Sequence, residues 1–409
     1  MERMIPLSIT IEQAQQRLLE RLSPLEEELV PLCQAVGRTL TRPVSAPLAQ
    51  PPFDRSPLDG YAVRAADLAG ASAEHPAVLT VVDKLFAGDE SRVPVAPGQA
   101  VRLMTGAMLP AGADCVIRQE DTDQGEEQVQ IFTALPSGAN CIHRGEEYGP
   151  GDCLLAAGQQ VDPAAAAVAA GAGLTALPVR RRPRAAVLAT GDEICPPGQP
   201  LAPGKIYDAN TAYLTSRLDR LGVDCRVEAV GDDEAALTAA LTRLGREADL
   251  VVTTGGVSVG QKDLLAPVLR HMGAELLFHG IAMKPGMPTL CALWEGTVFL
   301  CLSGNPFSAA VAFELLAPPV LAALAENSTL LPVRTTARAA AGIEKTGMPR
   351  RFLRAACRGG VVTVPGAQAN GQMRSMVGCN CLVDIPEGTA CIQKGEPVSV
   401  VLLAGGNLP

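Results

Sequence analysis

Asp249-Leu250-Val251-Val252-Thr253-Thr254-Gly255-Gly256-Val257-Ser258-Val259-Gly260 is the stretch that decides the fold. Its first half, Asp249 to Thr253, is a short, unbroken apolar run with β-branched residues. That is the pattern of a strand covered on both faces, as in a parallel sheet. The glycines that follow let backbone N–H groups approach a ligand, and a helix start beyond them favours an anion. Gly255, Gly256, Ser258 and Gly260 are therefore candidate binding residues. In an open parallel sheet the ligand lies beyond the carboxyl ends of the strands. The loop is neither GxGxxG nor a Walker A sequence, so neither a dinucleotide nor a P-loop nucleotide is indicated. A tight turn with no ligand is the plain alternative.

On both sides of this stretch strands and helices alternate. Strands are expected over 185–189, 225–230, 275–279 and 298–302, and helices over 211–221, 234–244, 263–272 and 306–324. That order implies a three-layer α/β domain with a mainly parallel sheet, assigned to residues 181–328. Beyond it, short runs such as Arg351–Arg354 and Val398–Leu402 predict a β-barrel-like tail over 329–409. Before it, runs at 78–82, 100–104, 115–117 and 129–132 predict an inserted β-rich domain over 51–140. Thr10 with Gln13 reads as a capping box opening a helix whose apolar face is Leu18, Leu19 and Leu22. Asp162-Pro163 opens another helix, ending at Gly171. Arg180-Arg181-Arg182-Pro183 reads as a solvated junction.

The 409 residues suit several domains. With 47% hydrophobic and 19% charged residues the chain is globular, not disordered. The 34 Lys+Arg against 43 Asp+Glu give a net charge of −9, which disfavours nucleic acid or a membrane surface as partner. The 12 cysteines contain no CxxC pair and no Cys/His set of zinc spacing. They are expected to be reduced core thiols of a cytosolic chain, with Cys379 and Cys381 on one face of one strand. No signal-peptide pattern and no uninterrupted apolar span stand out, so a cytoplasmic protein with no membrane segment is expected.

Acidic residues gather where the strands end. Asp192 and Glu193 follow Thr190-Gly191, Asp232 and Asp233 follow Gly231, and Asp263 follows Gly260. Convergence on one sheet edge suits Mg²⁺, which takes a few carboxylates together with water and substrate phosphates. Each acid also sits near a helix start, where capping is the ordinary role. Lys284-Pro285-Gly286 could meet a phosphate or oxyanion on that edge, or be a surface lysine. Ser303-Gly304-Asn305-Pro306 repeats the strand-to-helix turn and reads as a second anion site. Asp59, in Ser56-Pro57-Leu58-Asp59-Gly60-Tyr61-Ala62, lies in a turn that an Asx-turn explains.

In order along the chain come Ser56–Ala62, Arg102–Ala107 with Pro110, Gly112–Asp114 and Glu120, and Arg144–Glu147 with Gly151-Asp152. Thr190–Glu193, Asp208-Ala209-Asn210, the 255–260 loop with Asp263, and Lys284–Gly286 follow. These blocks, spread over nearly the whole chain, resemble the molybdopterin molybdenumtransferase family, which includes the C-terminal part of gephyrin. The resemblance implies a discontinuous, elongated helical region (1–50 and 141–180), the inserted β-rich domain, a pterin-binding α/β domain and the barrel-like tail. It implies a homodimer with the cleft between subunits. It implies a reaction in which adenylylated molybdopterin and molybdate give the molybdenum cofactor and AMP, with Mg²⁺ assisting. The adenylyltransferase of the same pathway and acceptor molybdoenzymes would be transient partners. Carried over by position, the functional residues are Asp59, Thr105, Glu193, Asp232, Asp263 and Lys284, with Asp232 and Asp263 toward the metal. Gly304, Asn305 and Pro306 fall on the second turn, and in the tail Ser375 and an arginine at 350 or 351 match approximately. Two departures stand out: Met287 replaces the second lysine of K-P-G-K-P, and Ser303 the first proline of L-P-G-N-P. An adenylyltransferase and a non-catalytic scaffold of the gephyrin kind are the alternative readings.

Overall fold

The computed structural model describes residues 9–257, 264–344 and 349–403. The chain forms two compact units, one of residues 1–28 and 179–409, the other of residues 29–178.

At the heart of the first unit is a six-stranded sheet. Its order is Asp224–Val230, Arg184–Thr190, Leu250–Thr254, Thr297–Leu302, Leu290–Trp294, Glu275–His279. The first four strands are parallel. The last two pairings are antiparallel, so the sheet is mixed. The sequence pattern predicts no strand at 290–294. That strand joins 297–302 through Glu295-Gly296, with φ of 49° and 88°, the tight turn that matches strand twist. Glu-Gly is a weaker hairpin signal than Asn-Gly, so the turn does not announce the strand.

Side chains alternate cleanly between two cores. Val187, Val252 and Leu300 face the helices Ala209–Arg220 and Pro306–Ala325, with Ile11, Ala14 and Leu18 of the first helix beside them. Leu188, Val251 and Phe299 face the helices Glu234–Glu247 and Leu265–His271. The first helix, Ile11–Leu19, has the expected capping box, but its buried stripe runs through Ile11, Ala14 and Leu18, leaving Leu19 exposed. Helix 306–325 is long and apolar enough to cross a bilayer by length and composition. Instead, 94% of that apolar window is buried inside the fold, as an all-round apolar helix requires.

The expected solvated junction is a correction. Arg181 makes a bidentate pair with Asp249, at 2.8 and 2.9 Å, and pairs also with Glu26. Arg180 pairs with Glu326. These arginines tie the start of the α/β domain to its neighbours.

The tail closes as a five-stranded barrel. Arg350–Arg358, Val361–Thr363, Arg334–Ala339, Pro397–Leu402 and Cys381–Ile385 pair in turn, and the last pairs with the first. Met283–Lys284 adds in parallel to 350–358, placing Lys284 opposite Arg351. All 12 cysteines are free, but Cys33, Cys153 and Cys391 are exposed, not core. Cys381 lies inside the barrel, whereas Cys379 precedes the strand and donates its thiol to Ser375 O at 3.3 Å. The two do not share a strand face.

The second unit holds a five-stranded sheet ordered Cys115–Arg118, Gly60–Val63, Gln99–Leu103, Ala77–Leu85, Gln128–Ile131. Helices Leu32–Ala35 and Pro163–Gly171 lie in the same unit, the latter capped by Asp162 with Pro163 in its first turn.

Candidate active site

In the first unit, strand register brings the expected loops to one edge. Thr190 is opposite Val230, Ala189 opposite Thr254, and Thr254 opposite Leu302. The loops beginning at Gly191, Gly231, Gly255 and Ser303 therefore leave the sheet side by side. Gly255 and Gly256 have φ of 94° and 61°, the left-handed region. The Gly255 N–H donates to Leu302 O at 3.1 Å, and Thr190 Oγ1 donates to Thr254 O at 3.0 Å. Asn210, at the start of helix 209–220, donates its amide to Gly304 O at 2.9 Å, while its own Oδ1 is buried without a partner. In the sequence Asn210 stands out only as part of Asp208-Ala209-Asn210; its contact with a residue 94 positions away has no local signal.

The 303–306 turn offers an anion fewer donors than its sequence suggests. The Asn305 N–H goes to Ser303 Oγ at 3.2 Å, Pro306 has none, and the Phe307 N–H goes to Asn370 O at 2.9 Å. Ser303 makes locally, with its hydroxyl, the turn that the family's proline would impose.

Among the carboxylates, Asp192 and Asp232 meet: Asp192 Oδ1 accepts from the Asp232 N–H at 3.1 Å. Asp233 is the cap of helix 234–247, accepting from Ala236 N at 2.7 Å. Glu193 begins the exposed segment that pairs with 206–207. Ser258, Gly260 and Asp263 lie outside the described residues. Among the described residues no three His, Cys, Asp or Glu side chains converge as a metal cage.

A cavity of about 640 Å³ opens between the α/β domain and the barrel, within the first unit. Lys284, Pro285, Phe307, Glu344, Arg351 and Asn370 line it. Strand alternation separates the two tail arginines. Arg350 turns away and pairs with buried Asp384, at 2.6 Å from both Nε and Nη2, and with Glu12. Arg351 faces the cavity beside Lys284, its Nε buried without a partner, and among the described residues no carboxylate pairs with either cation. Arg354 lies wholly buried behind the wall. Its guanidinium stacks 3.7 Å from the Phe307 ring centroid and donates to Gln372 O and Ala369 O. Burial pulls its pKa down from the ordinary arginine value. Arg354 was missed in the sequence, where it reads as one more strand residue. Ser375 is not among the described lining residues; its hydroxyl donates to Gln372 O at 3.2 Å.

In the second unit Asp59 and Thr105 meet. The Thr105 N–H and hydroxyl both donate to Asp59 Oδ1 at 2.7 Å. The pair closes the end of two adjacent strands, with Gly60 opposite Leu103. The Thr105 hydroxyl, then its N–H, holds the Asp59 carboxyl below the usual carboxylate range. A depressed folded pKa contributes stability above the unfolded value and loses it as pH falls through the folded one. Thr105→Val is therefore expected to move the Asp59 titration up toward the ordinary range. A carboxyl NMR titration reads this, and an unmoved midpoint counts against the hydroxyl as the main cause.

Comparison with known proteins agrees with this layout. Residues 9–173 match the MoeA N-terminal region (domain I and II), 186–323 a probable molybdopterin binding domain, and 336–403 the MoeA C-terminal region (domain IV). The chain is 36% identical over 400 residues to molybdopterin molybdenumtransferase 2 of Mycobacterium tuberculosis, covering 96% of this chain and 98% of that one. It is 33% identical to molybdopterin molybdenumtransferase of Bacillus subtilis, covering 98% and 95%. The crystal structure of a molybdopterin biosynthesis MoeA protein from Pyrococcus horikoshii superposes with a TM-score of 0.85 at 32% identity, covering 97% of this chain and 99% of that one. Three matched regions in order, and full-length relatives on both measures, place the chain in the molybdopterin molybdenumtransferase (MoeA) family.

Proposed function

We propose that this chain inserts molybdate into adenylylated molybdopterin, releasing AMP and forming the molybdenum cofactor. The observation that carries the reading is the cation set around the cavity. Lys284 and Arg351 line it side by side, and Arg354 is buried behind it without a carboxylate partner among the described residues. Arg351 is half-buried with its Nε unpartnered, exposed Lys284 stands beside it, and among the described residues no carboxylate pairs with either, an arrangement that favours an anionic ligand. A tetraoxo dianion answers that need, and about 640 Å³ also admits the end of an organic substrate. The pterin phosphate end would lie at the Gly255–Gly256 edge, where backbone can approach closely.

Asp232, with Asp192 beside it, suits an open Mg²⁺ site of one or two carboxylates completed by substrate phosphates. Asp232 would hold the ion, with Asp263 the second candidate. Bound there, Mg²⁺ would neutralise phosphoanhydride charge. Lys284 and Arg351 orient the oxyanion, and the Phe307 wall excludes water from one side. Asp59 and Thr105 would complete the cleft of a partner subunit in a homodimer acting in the cytoplasm.

The test is incubation of the protein with adenylylated molybdopterin, molybdate and Mg²⁺. AMP and cofactor that activates an apo-molybdoenzyme are expected together. AMP release indifferent to molybdate, or no product at all, would overturn the reading. Mixed Asp59→Ala and Lys284→Ala subunits are expected to recover part of the activity that each homodimer lacks. No recovery after demonstrated subunit exchange sinks the shared cleft.

A further inference from the structure

Helix 306–325 carries one charged residue, Glu314, only 1% exposed. Its carboxylate receives a bidentate pair from Arg217, Nε to Oε1 at 2.6 Å and Nη2 to Oε2 at 3.0 Å. Tyr213 OH also donates to Oε1, at 2.8 Å. Tyr213 and Arg217 are one turn apart on helix 209–220, and Asn210 precedes Tyr213 on the same stripe. Asn210 holds Gly304 O, just ahead of the long helix. The stripe is thus a polar seam running from Gly304 to Glu314 through an otherwise apolar interface, where Leu214 and Leu218 share a core with Val311 and Leu315.

A buried ion pair is weak ground for added stability. Replacing a buried ion pair by apolar groups of the same volume is often neutral or stabilising, and the best-attested use of such groups is to fix register. The geometry fits that use. Arg217 and Glu314 each lie about two turns from the start of their helix, so pairing them brings the two helix starts level. Level starts place Asn210 on Gly304. They also keep the turn against the glycine loop, since a Cβ built on Gly304 would lie 3.7 Å from Gly255 Cα. A slip of one residue moves a helix face by about 1.5 Å and 100° and breaks both contacts.

We propose that Tyr213, Arg217 and Glu314 form a register clamp, positioning residues that hold the Gly304 turn against Gly255 at the pterin-phosphate edge. This rests on the reading of that edge as the pterin site. The test is the full-length triple variant Tyr213→Phe/Arg217→Met/Glu314→Leu, which removes the ions and nearly conserves volume. Its Tm is expected to equal or exceed that of the unaltered protein. Amide hydrogen exchange over 303–308 is expected to quicken about tenfold, with the barrel strands unchanged. KM for adenylylated molybdopterin is expected to rise about tenfold with kcat little moved. Should the triple variant fail to fold, Tyr213→Phe, which removes one hydrogen bond to Glu314 and leaves the ion pair intact, is expected to give the same local pattern with smaller changes. Exchange at 303–308 that stays at the unaltered rate, or that rises equally throughout the unit, overturns the clamp. If the unaltered protein does not turn over the adenylylated pterin while exchange at 303–308 still depends on the triad, the pterin reading falls and the clamp stands.

Discussion

Arg351→Ala is expected to raise the molybdate concentration for half-maximal rate about 100-fold while leaving the melting temperature almost unchanged. Arg350→Ala is expected to do the reverse. The two residues are adjacent, and a strand sends neighbours to opposite faces. Arg351 lines the cavity beside Lys284; Glu344 lines it too, but among the described residues no carboxylate pairs with Arg351, so its charge is available to a ligand. Removing one partner of a desolvated charge contact costs roughly 2–5 kcal/mol, and the lower half of that range gives the 100-fold figure. Arg350 is spent on Asp384 and Glu12. Without it, buried Asp384 keeps only Arg334, at 2.7 Å, among the partners described. That loss is worth about 2 kcal/mol after allowing for the remaining arginine, or about 5 °C in Tm for a unit of this size. Met287 does not fill the sheet; it is 49% exposed, and a lysine there would reach solvent as readily as the cavity. Met287→Lys should therefore shift the half-saturating molybdate concentration by less than about threefold, within the ~1 kcal/mol of an exposed charge. Molybdate titrations and thermal melts of the three variants decide the matter. Equal molybdate shifts for Arg350→Ala and Arg351→Ala would refute the division of labour.

What the sequence made legible is what local chemistry dictates. The apolar run before Gly255 predicted a doubly covered strand, and Leu250–Thr254 is buried along its whole length. Thr10 with Gln13 predicted a capping box, and both hydrogen bonds are present. What stayed hidden depends on partners far along the chain. Arg181 looks like a linker residue until the fold brings it to Asp249, 68 positions away. Asp59 is explained by its own turn until Thr105, 46 positions on, bonds to it. The 303–306 turn reads as an open helix start because nothing near it announces that Asn370 O takes the N–H of Phe307 just beyond it. Periodicity and caps are written in neighbours; counter-charges and occupied donors are not.

Gly255→Ala is expected to cost about 4 kcal/mol of stability and to abolish pterin binding, whereas Gly256→Ala should cost about 1 kcal/mol and act mainly on binding. Both residues have positive φ, so alanine is strained at either. Space separates them. A Cβ on Gly255 would lie 2.5 Å from Thr190 O and 2.8 Å from Thr190 Oγ1. Neither atom can yield, because Thr190 is held in strand pairing with Val230 and its hydroxyl is bonded to Thr254 O. Relief would have to come from opening the 184–190 and 250–254 strands at the edge where the ligand is proposed to bind. Among the described residues a Cβ on Gly256 meets nothing closer than Thr190 Oγ1 at 3.4 Å and Leu265 Cδ1 at 3.5 Å, contacts that a small shift absorbs. There the cost is backbone strain, together with a methyl group standing where the backbone would approach the phosphate. Thermal melts should show Gly255→Ala about 10 °C below the unaltered protein and Gly256→Ala within about 4 °C of it. Pterin affinity, measured below both transitions, should fall in each. If Gly255→Ala melts with the unaltered protein, the close approach to Thr190 is not what demands glycine there. If Gly256→Ala binds pterin normally, the loop is a turn that serves the strand and not the ligand.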